Sequence, residues 1–124
     1  MRIEITNKTK GKLPRLPFVR LKNEILGKEY ELSLALVSPK ESNRLNLAYR
    51  KKDKPTNVLS FPFDKKSGEI VLDIKTARAD APNFEMTVSK FLLFLVIHGM
   101  LHLKGFDHWS TMEKQEKKFL KIFS

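Results

Sequence analysis

Apolar and polar positions alternate at the start of the chain, with Ile3 and Ile5 spaced by polar neighbours, so Met1–Thr6 predicts a strand with one buried face. Lys8–Arg15 breaks the alternation as a basic loop containing Gly11 and Pro14. Between Pro17 and Leu26 the apolar residues move to helical spacing at Phe18, Leu21 and Ile25, and Gly27 suits a helix end. Tyr30–Val37 alternates again through Tyr30, Leu32, Leu34 and Leu36, a second half-buried strand. Ser38-Pro39-Lys40-Glu41 has the form of a capping box with proline at the first helical position. There the Ser38 side chain takes a free N–H and Glu41 reaches back, which predicts a helix to about Arg50.

Lys51–Asn57 is a charged turn around Pro55, and Val58–Phe61 is a short strand that Pro62 stops. Phe63–Gly68 reads as a polar turn, Glu69–Ile74 as a central strand with consecutive apolar residues, and Lys75–Asn83 as loop. Phe84–Leu103 predicts the main buried helix, apolar nearly all round through Phe91–Ile97 and ended by Gly105. A second capping box, Ser110-Thr111-Met112-Glu113, opens a terminal helix with Met112, Phe119, Leu120 and Phe123 on one side. This order lacks strict alternation of strand and helix, which argues for the α+β class over a doubly wound sheet. At 124 residues the chain predicts one domain, residues 1–124.

Composition narrows the partners. Hydrophobic residues at 41% and charged residues at 31% exclude wholesale disorder. The net charge of +10 favours a polyanion. With no cysteine, disulfide scaffolds, cysteine-based zinc fingers, iron–sulfur clusters and thiol nucleophiles are excluded. MRIEITNKTK has no apolar run of the kind a secretory leader needs, and Phe91–Ile97 is too short to span a bilayer. We therefore expect a cytoplasmic protein with no membrane partner.

The three histidines carry the chemistry. His98, His102 and His108 all lie in HGMLHLKGFDH. His98 and His102 are one helical turn apart on one face, so their imidazoles can share one metal ion. Gly105 lets the chain leave the helix and turn back, which can bring His108 to the same ion. Three imidazoles without thiolate suit zinc, with nickel or copper open by ligand type, and three protein ligands leave a fourth tetrahedral position for a water whose pKa zinc lowers to about 7. In the motif H-E-x-x-H a glutamate supplies the base, but here Gly99 stands in that place, so the base is the metal hydroxide itself or a carboxylate from elsewhere: Asp107, Glu69 or Asp53, with Asp107 equally open as a fourth ligand, an acceptor for an imidazole N–H or a solvated turn residue.

HGMLHLKGFDH resembles the H-G-x-L-H-L-x-G-[YF]-D-H signature of the YbeY family of bacterial rRNA maturation factors. LNLAYRKKDKPTNVLSFPF, Leu45 to Phe63, resembles the family's middle block, and GEIVL, Gly68 to Leu72, its G-[DE]-I strand. The resemblance covers about Ser33 to His108. It implies a small, mixed, mostly parallel sheet of about four strands with about four to five packed helices, zinc-hydrolase-like. It implies a single-strand-specific, zinc-dependent endoribonuclease acting in 16S rRNA 3′-end maturation, rRNA processing and late ribosome quality control. One zinc ion per chain would sit on His98, His102 and His108, and Arg50 would be the catalytic arginine. The implied partners are single-stranded RNA, 16S rRNA, the small ribosomal subunit and ribosome-assembly proteins.

The residues agree with that chemistry. Residues 50–66 carry six basic and two acidic groups, and the Arg50 guanidinium can grip a phosphate bidentately. Lys51, Lys52 and Lys54 are candidate RNA contacts, and Phe61, Phe63, Phe106 and Trp109 are candidates for stacking on unpaired bases. Two rival classes stay open: a non-enzymatic assembly factor with structural zinc, and a zinc hydrolase of peptides or small molecules.

Overall fold

The computed structural model describes residues 3–106 and 109–124, with the side chains of Trp109 and Ser110 excepted. The elements run β1 Ile3–Asn7, α1 Phe18–Ile25, β2 Glu31–Leu36, α2 Pro39–Arg50, β3 Val58–Asp64, β4 Ser67–Leu72, α3 Ile74–Asp80, α4 Val88–Lys104 and α5 Trp109–Phe123, with a 3-10 turn at Ala81–Phe84 before α4. The sheet order is β1-β2-β4-β3. The first three strands are parallel and β3 is antiparallel to β4. This is an α+β domain with a mixed, mostly parallel sheet, as the pattern and the resemblance lead one to expect.

Strand alternation divides the sheet into two faces. Leu32, Leu34, Leu36, Ile70 and Leu72 join α1, α4 and α5 in the main core. Ala35, Val37, Leu59 and Val71 face the other way, against Leu45 of α2 and Phe61. Thus α2 covers one face and α4 the other. Helix α4 is buried from Phe91 to Ile97 along its whole circumference except Phe94, and each buried Leu or Ile contributes about 1.5–3 kcal/mol. The helix that carries two of the histidines is therefore the best-anchored element.

Several boundaries differ from the sequence reading. Lys75–Asn83 is not loop: Asp73 caps α3 by accepting the Thr76 N–H, and the helix escaped notice because it buries only Ala77. The main helix begins at Val88, not Phe84, because Thr87 caps it and Glu85 sits at φ 55 in the left-handed region. Strand β3 runs through Pro62 to Asp64, which an edge strand tolerates because proline removes only one ladder N–H. Strand β4 starts at Ser67 after a two-residue turn in which Asp64 accepts the Lys66 N–H. Ser38 accepts the Glu41 N–H as expected, but the Glu41 carboxylate turns to Arg44 instead of reaching back. Ser110 lies inside α5, and its side chain is outside the described residues.

Candidate metal centre

Helix α4 ends in a Schellman turn. Gly105 adopts φ 105, its N–H bonds the His102 carbonyl, and the Phe106 N–H bonds the Leu101 carbonyl. Phe106 then packs on the main core. Helix α5 lies against α4 through Met112 and Phe119, with Leu120 and Phe123 on the same side. Glu116, four residues after Met112 and four before Leu120, falls on that apolar stripe.

His98 and His102 project from one face of α4, their rings edge to face at 4.6 Å between centroids. Their Nε2 atoms approach to 3.2 Å. On its other side the His98 ring contacts Glu116 through Nδ1 and Oε2. A carboxylate accepts and does not donate, so Nδ1 carries the proton, and the neutral form of such a ring has its lone pair on Nε2, the atom that faces His102. Two nitrogens on one tetrahedral zinc at about 2.0–2.1 Å stand about 3.3–3.4 Å apart. The observed 3.2 Å fits that requirement, and the donor type fits as well.

His108 and Asp107 lie outside the described residues, so the expected third ligand and one candidate base do too. Among the described residues no group of three or more His, Cys, Asp or Glu side chains converges on one point. Sequence reasoning passed over Glu116. Its signal was a lone carboxylate in the stripe Met112, Glu116, Phe119, Leu120, Phe123.

Gly99 is buried, and a Cβ there would meet Ile70 at 3.1 Å. The position after His98 thus faces β4, where no general base could reach the histidines. Glu69 and Asp53 are engaged elsewhere. Glu69 accepts the Ser33 hydroxyl at 3.0 Å, and its side chain shares the sheet face of Val71, opposite α4. Asp53 accepts the Asn43 amide at 2.9 Å. A mainly apolar cavity of about 320 Å³ opens beside His98, walled by Met86, Phe94, Met112 and Leu120 with Glu116 at its polar side.

Arg50 is the last residue of α2 and is exposed; among the described residues its side chain forms no hydrogen bond or ion pair. Its neighbour Tyr49 rests on Phe61 of β3 at 4.9 Å, and β3 also packs against α4. Helices α2, through Tyr49, and α4 therefore touch the same edge strand from opposite faces of the sheet. Lys51 ends α2 at φ 62, and Lys51, Lys52 and Lys54 are all exposed. Their turn is tied down by fully buried Asn46, whose carbonyl accepts the Lys52 N–H at 3.4 Å and whose Nδ2 donates to the Lys54 carbonyl at 2.9 Å. Of the aromatic candidates, Phe61 and Phe106 are engaged in packing while Phe63 stands exposed.

The structure is an α+β domain with paired imidazoles on its central helix and a carboxylate behind one of them. The family model "Endoribonuclease YbeY" matches residues 4–123. The chain belongs to the YbeY family. It is 41% identical over 101 residues to "Endoribonuclease YbeY" of Colwellia psychrerythraea, a match covering 76% of this chain and 65% of that protein's length. The solution structure of TM1509 from Thermotoga maritima superposes with a TM-score of 0.64 at 34% identity, covering 96% of this chain and 87% of the other. No single helix among the described residues is long and apolar enough to cross a membrane.

Proposed function

We propose that this chain is a zinc-dependent endoribonuclease that cuts single-stranded RNA, acting on 16S rRNA and the small ribosomal subunit in 3′-end maturation and quality control. The observation that carries this reading is the 3.2 Å approach of the His98 and His102 Nε2 atoms on an anchored helix. Residues 1–124 form the one catalytic domain, and it works in the cytoplasm alongside ribosome-assembly proteins.

His98, His102 and His108 would hold one zinc ion. When bound, zinc supplies Lewis acidity and lowers the pKa of water at an open fourth position. The chain's own contribution is preorganisation. Glu116 holds the His98 proton on Nδ1 and keeps the Nε2 lone pair directed at the site. Arg50, exposed at the end of α2, grips a phosphate through two parallel N–H bonds and offsets the negative charge that grows on it. Lys51, Lys52 and Lys54, on the turn that Asn46 fixes, position neighbouring phosphates. The net charge of +10 draws the polyanion in.

The test combines metal analysis of the purified chain with cleavage of an unstructured RNA. We expect about one zinc per chain. Cleavage should stop on chelation and return with added zinc, and His102→Ala should lose both. A zinc-loaded chain that leaves unstructured RNA intact overturns the reading, and so does cleavage that proceeds equally well without metal.

A further inference from the structure

A second site stands apart from the histidines, at the carboxyl ends of the parallel strands. There β1 leads toward α1 on one face of the sheet, while neighbouring β2 leads into α2 on the other. Such a parting of connections opens a crevice, and ligands of open parallel sheets bind in crevices of this kind. Here it is a cavity of about 400 Å³ between the loop after β1, the start of α2 and the first turn of α3. Five cationic residues line it, Lys8, Lys10, Lys12, Lys75 and Arg78, and no carboxylate does. Among the described residues none of these five side chains forms a hydrogen bond or an ion pair, and all five are exposed. The carboxylate that feels Lys8, Glu41, is taken by both arms of Arg44.

The lysine loop is built. Asn7 Oδ1 accepts the Thr9 N–H at 3.0 Å and the Thr9 hydroxyl at 2.6 Å, and Asn7 Nδ2 donates to the Gly11 carbonyl at 2.8 Å. The Lys8 N–H is anchored on the Leu36 carbonyl of β2 at 2.9 Å. The turn thus holds Lys8, Lys10 and Lys12 opposite Lys75 and Arg78 at little further entropic cost. No aromatic side chain lines the cavity, so bases have nothing to stack on. The chemistry selects phosphate.

We propose that this crevice binds backbone phosphates of single-stranded RNA outside the segment that is cut, a second anchoring point sharing no residue with the histidine centre. The proposal rests on the endoribonuclease reading for the identity of the polyanion.

The test uses the full chain in three measurements. Inorganic pyrophosphate is titrated while backbone amide shifts are followed. Binding of a labelled unstructured oligoribonucleotide is measured against salt. Cleavage of a very short substrate is measured separately. Pyrophosphate should move the amides of residues 8–12, 38, 40 and 74–78. The triple variant Lys8→Gln, Lys10→Gln, Lys12→Gln should weaken oligonucleotide binding roughly tenfold at moderate salt and lower the salt slope by about 2, since each lost contact to a single strand removes about 0.7. The double variant Lys75→Gln, Arg78→Gln should do the same by about 1.4. Zinc content and cleavage of the short substrate should stay at the parent level. Parent affinity and slope in both variants overturn the proposal; amide shifts with pyrophosphate but unaltered RNA binding do so too, and assign the crevice to free phosphate. If the parent binds RNA through these residues but never cuts it, the endoribonuclease reading fails and the crevice stands.

Discussion

His98 donates its Nδ1–H to the Glu116 carboxylate across the interface of α4 and α5, so the terminal helix sets the tautomer of a candidate metal ligand. Glu116→Ala should weaken zinc binding by about 10–100-fold, measured by competition with a chelator. Glu116→Gln keeps an acceptor oxygen and should lose less. The ¹⁵N shifts of the metal-free His98 ring should report an Nδ1-protonated tautomer in the parent and a mixture in Glu116→Ala. Unchanged affinity with an unchanged tautomer would make Glu116 a mere packing residue.

Gly99 explains why this centre cannot borrow its base from the position after the first histidine. A Cβ at 99 would already press on three atoms of Ile70 within 3.1–3.4 Å. Gly99→Glu should therefore bury a carboxylate against β4, costing several kcal/mol in urea unfolding, and should confer no peptidase activity. A folded Gly99→Glu protein with near-parent stability would show that α4 can roll away from the sheet.

The Tyr30 hydroxyl is buried without a hydrogen-bond partner among the described residues. Burial, with Asp64 as a second cause, pushes its phenol above the ordinary value. A raised folded pKa means that the neutral phenol's contribution is complete below the unfolded pKa of about 10 and is lost as pH rises through the folded value. Tyr30→Phe should match or exceed parent stability at neutral pH, by up to about 1 kcal/mol, and lose less above pH 10. A Cβ at Gly68 would meet that hydroxyl at 2.5 Å and Leu103 at 2.8 Å. Gly68→Ala should cost about 1–3 kcal/mol, and less in the Tyr30→Phe background. Equal costs in both backgrounds would mean that Leu103 and the Phe61 carbonyl, 3.1 Å from that Cβ, set the penalty.

Elements with a strong apolar period were legible from the chain alone: β2 through Leu32, Leu34 and Leu36, α1 through Phe18, Leu21 and Ile25, and the body of α4. Helix α3 was not, because one buried alanine makes no period and its cap, Asp73, is read only once Thr76 and Ser42 are seen bonded to it. The histidine pair was legible from its spacing. Glu116 was not read, since its pairing with His98 depends on how α5 docks. The basic crevice was written as two unrelated stretches, Lys8–Arg15 and Lys75–Asn83, and only the sheet order joins them.

Arg50 ends α2, which lies on one face of the sheet and touches the edge strand β3 through Tyr49, while the histidines sit on α4, which packs on the other face. A guanidinium so placed, with no described partner of its own, is available to a phosphate lying over that edge. Its fork fits two oxygens of a phosphate, which an ammonium cannot match. Loss of one donor aimed at the charge that grows in a transition state typically costs about 10²–10³ in rate. Arg50→Ala should therefore lower RNA cleavage by about that factor while zinc content and the urea midpoint stay at the parent level. Arg50→Lys should recover only part of the activity, because it restores the charge without the fork. If Arg50→Ala instead lowers the urea midpoint and leaves cleavage per folded molecule intact, the residue only finishes α2, and phosphate binding falls to the Lys51–Lys54 turn.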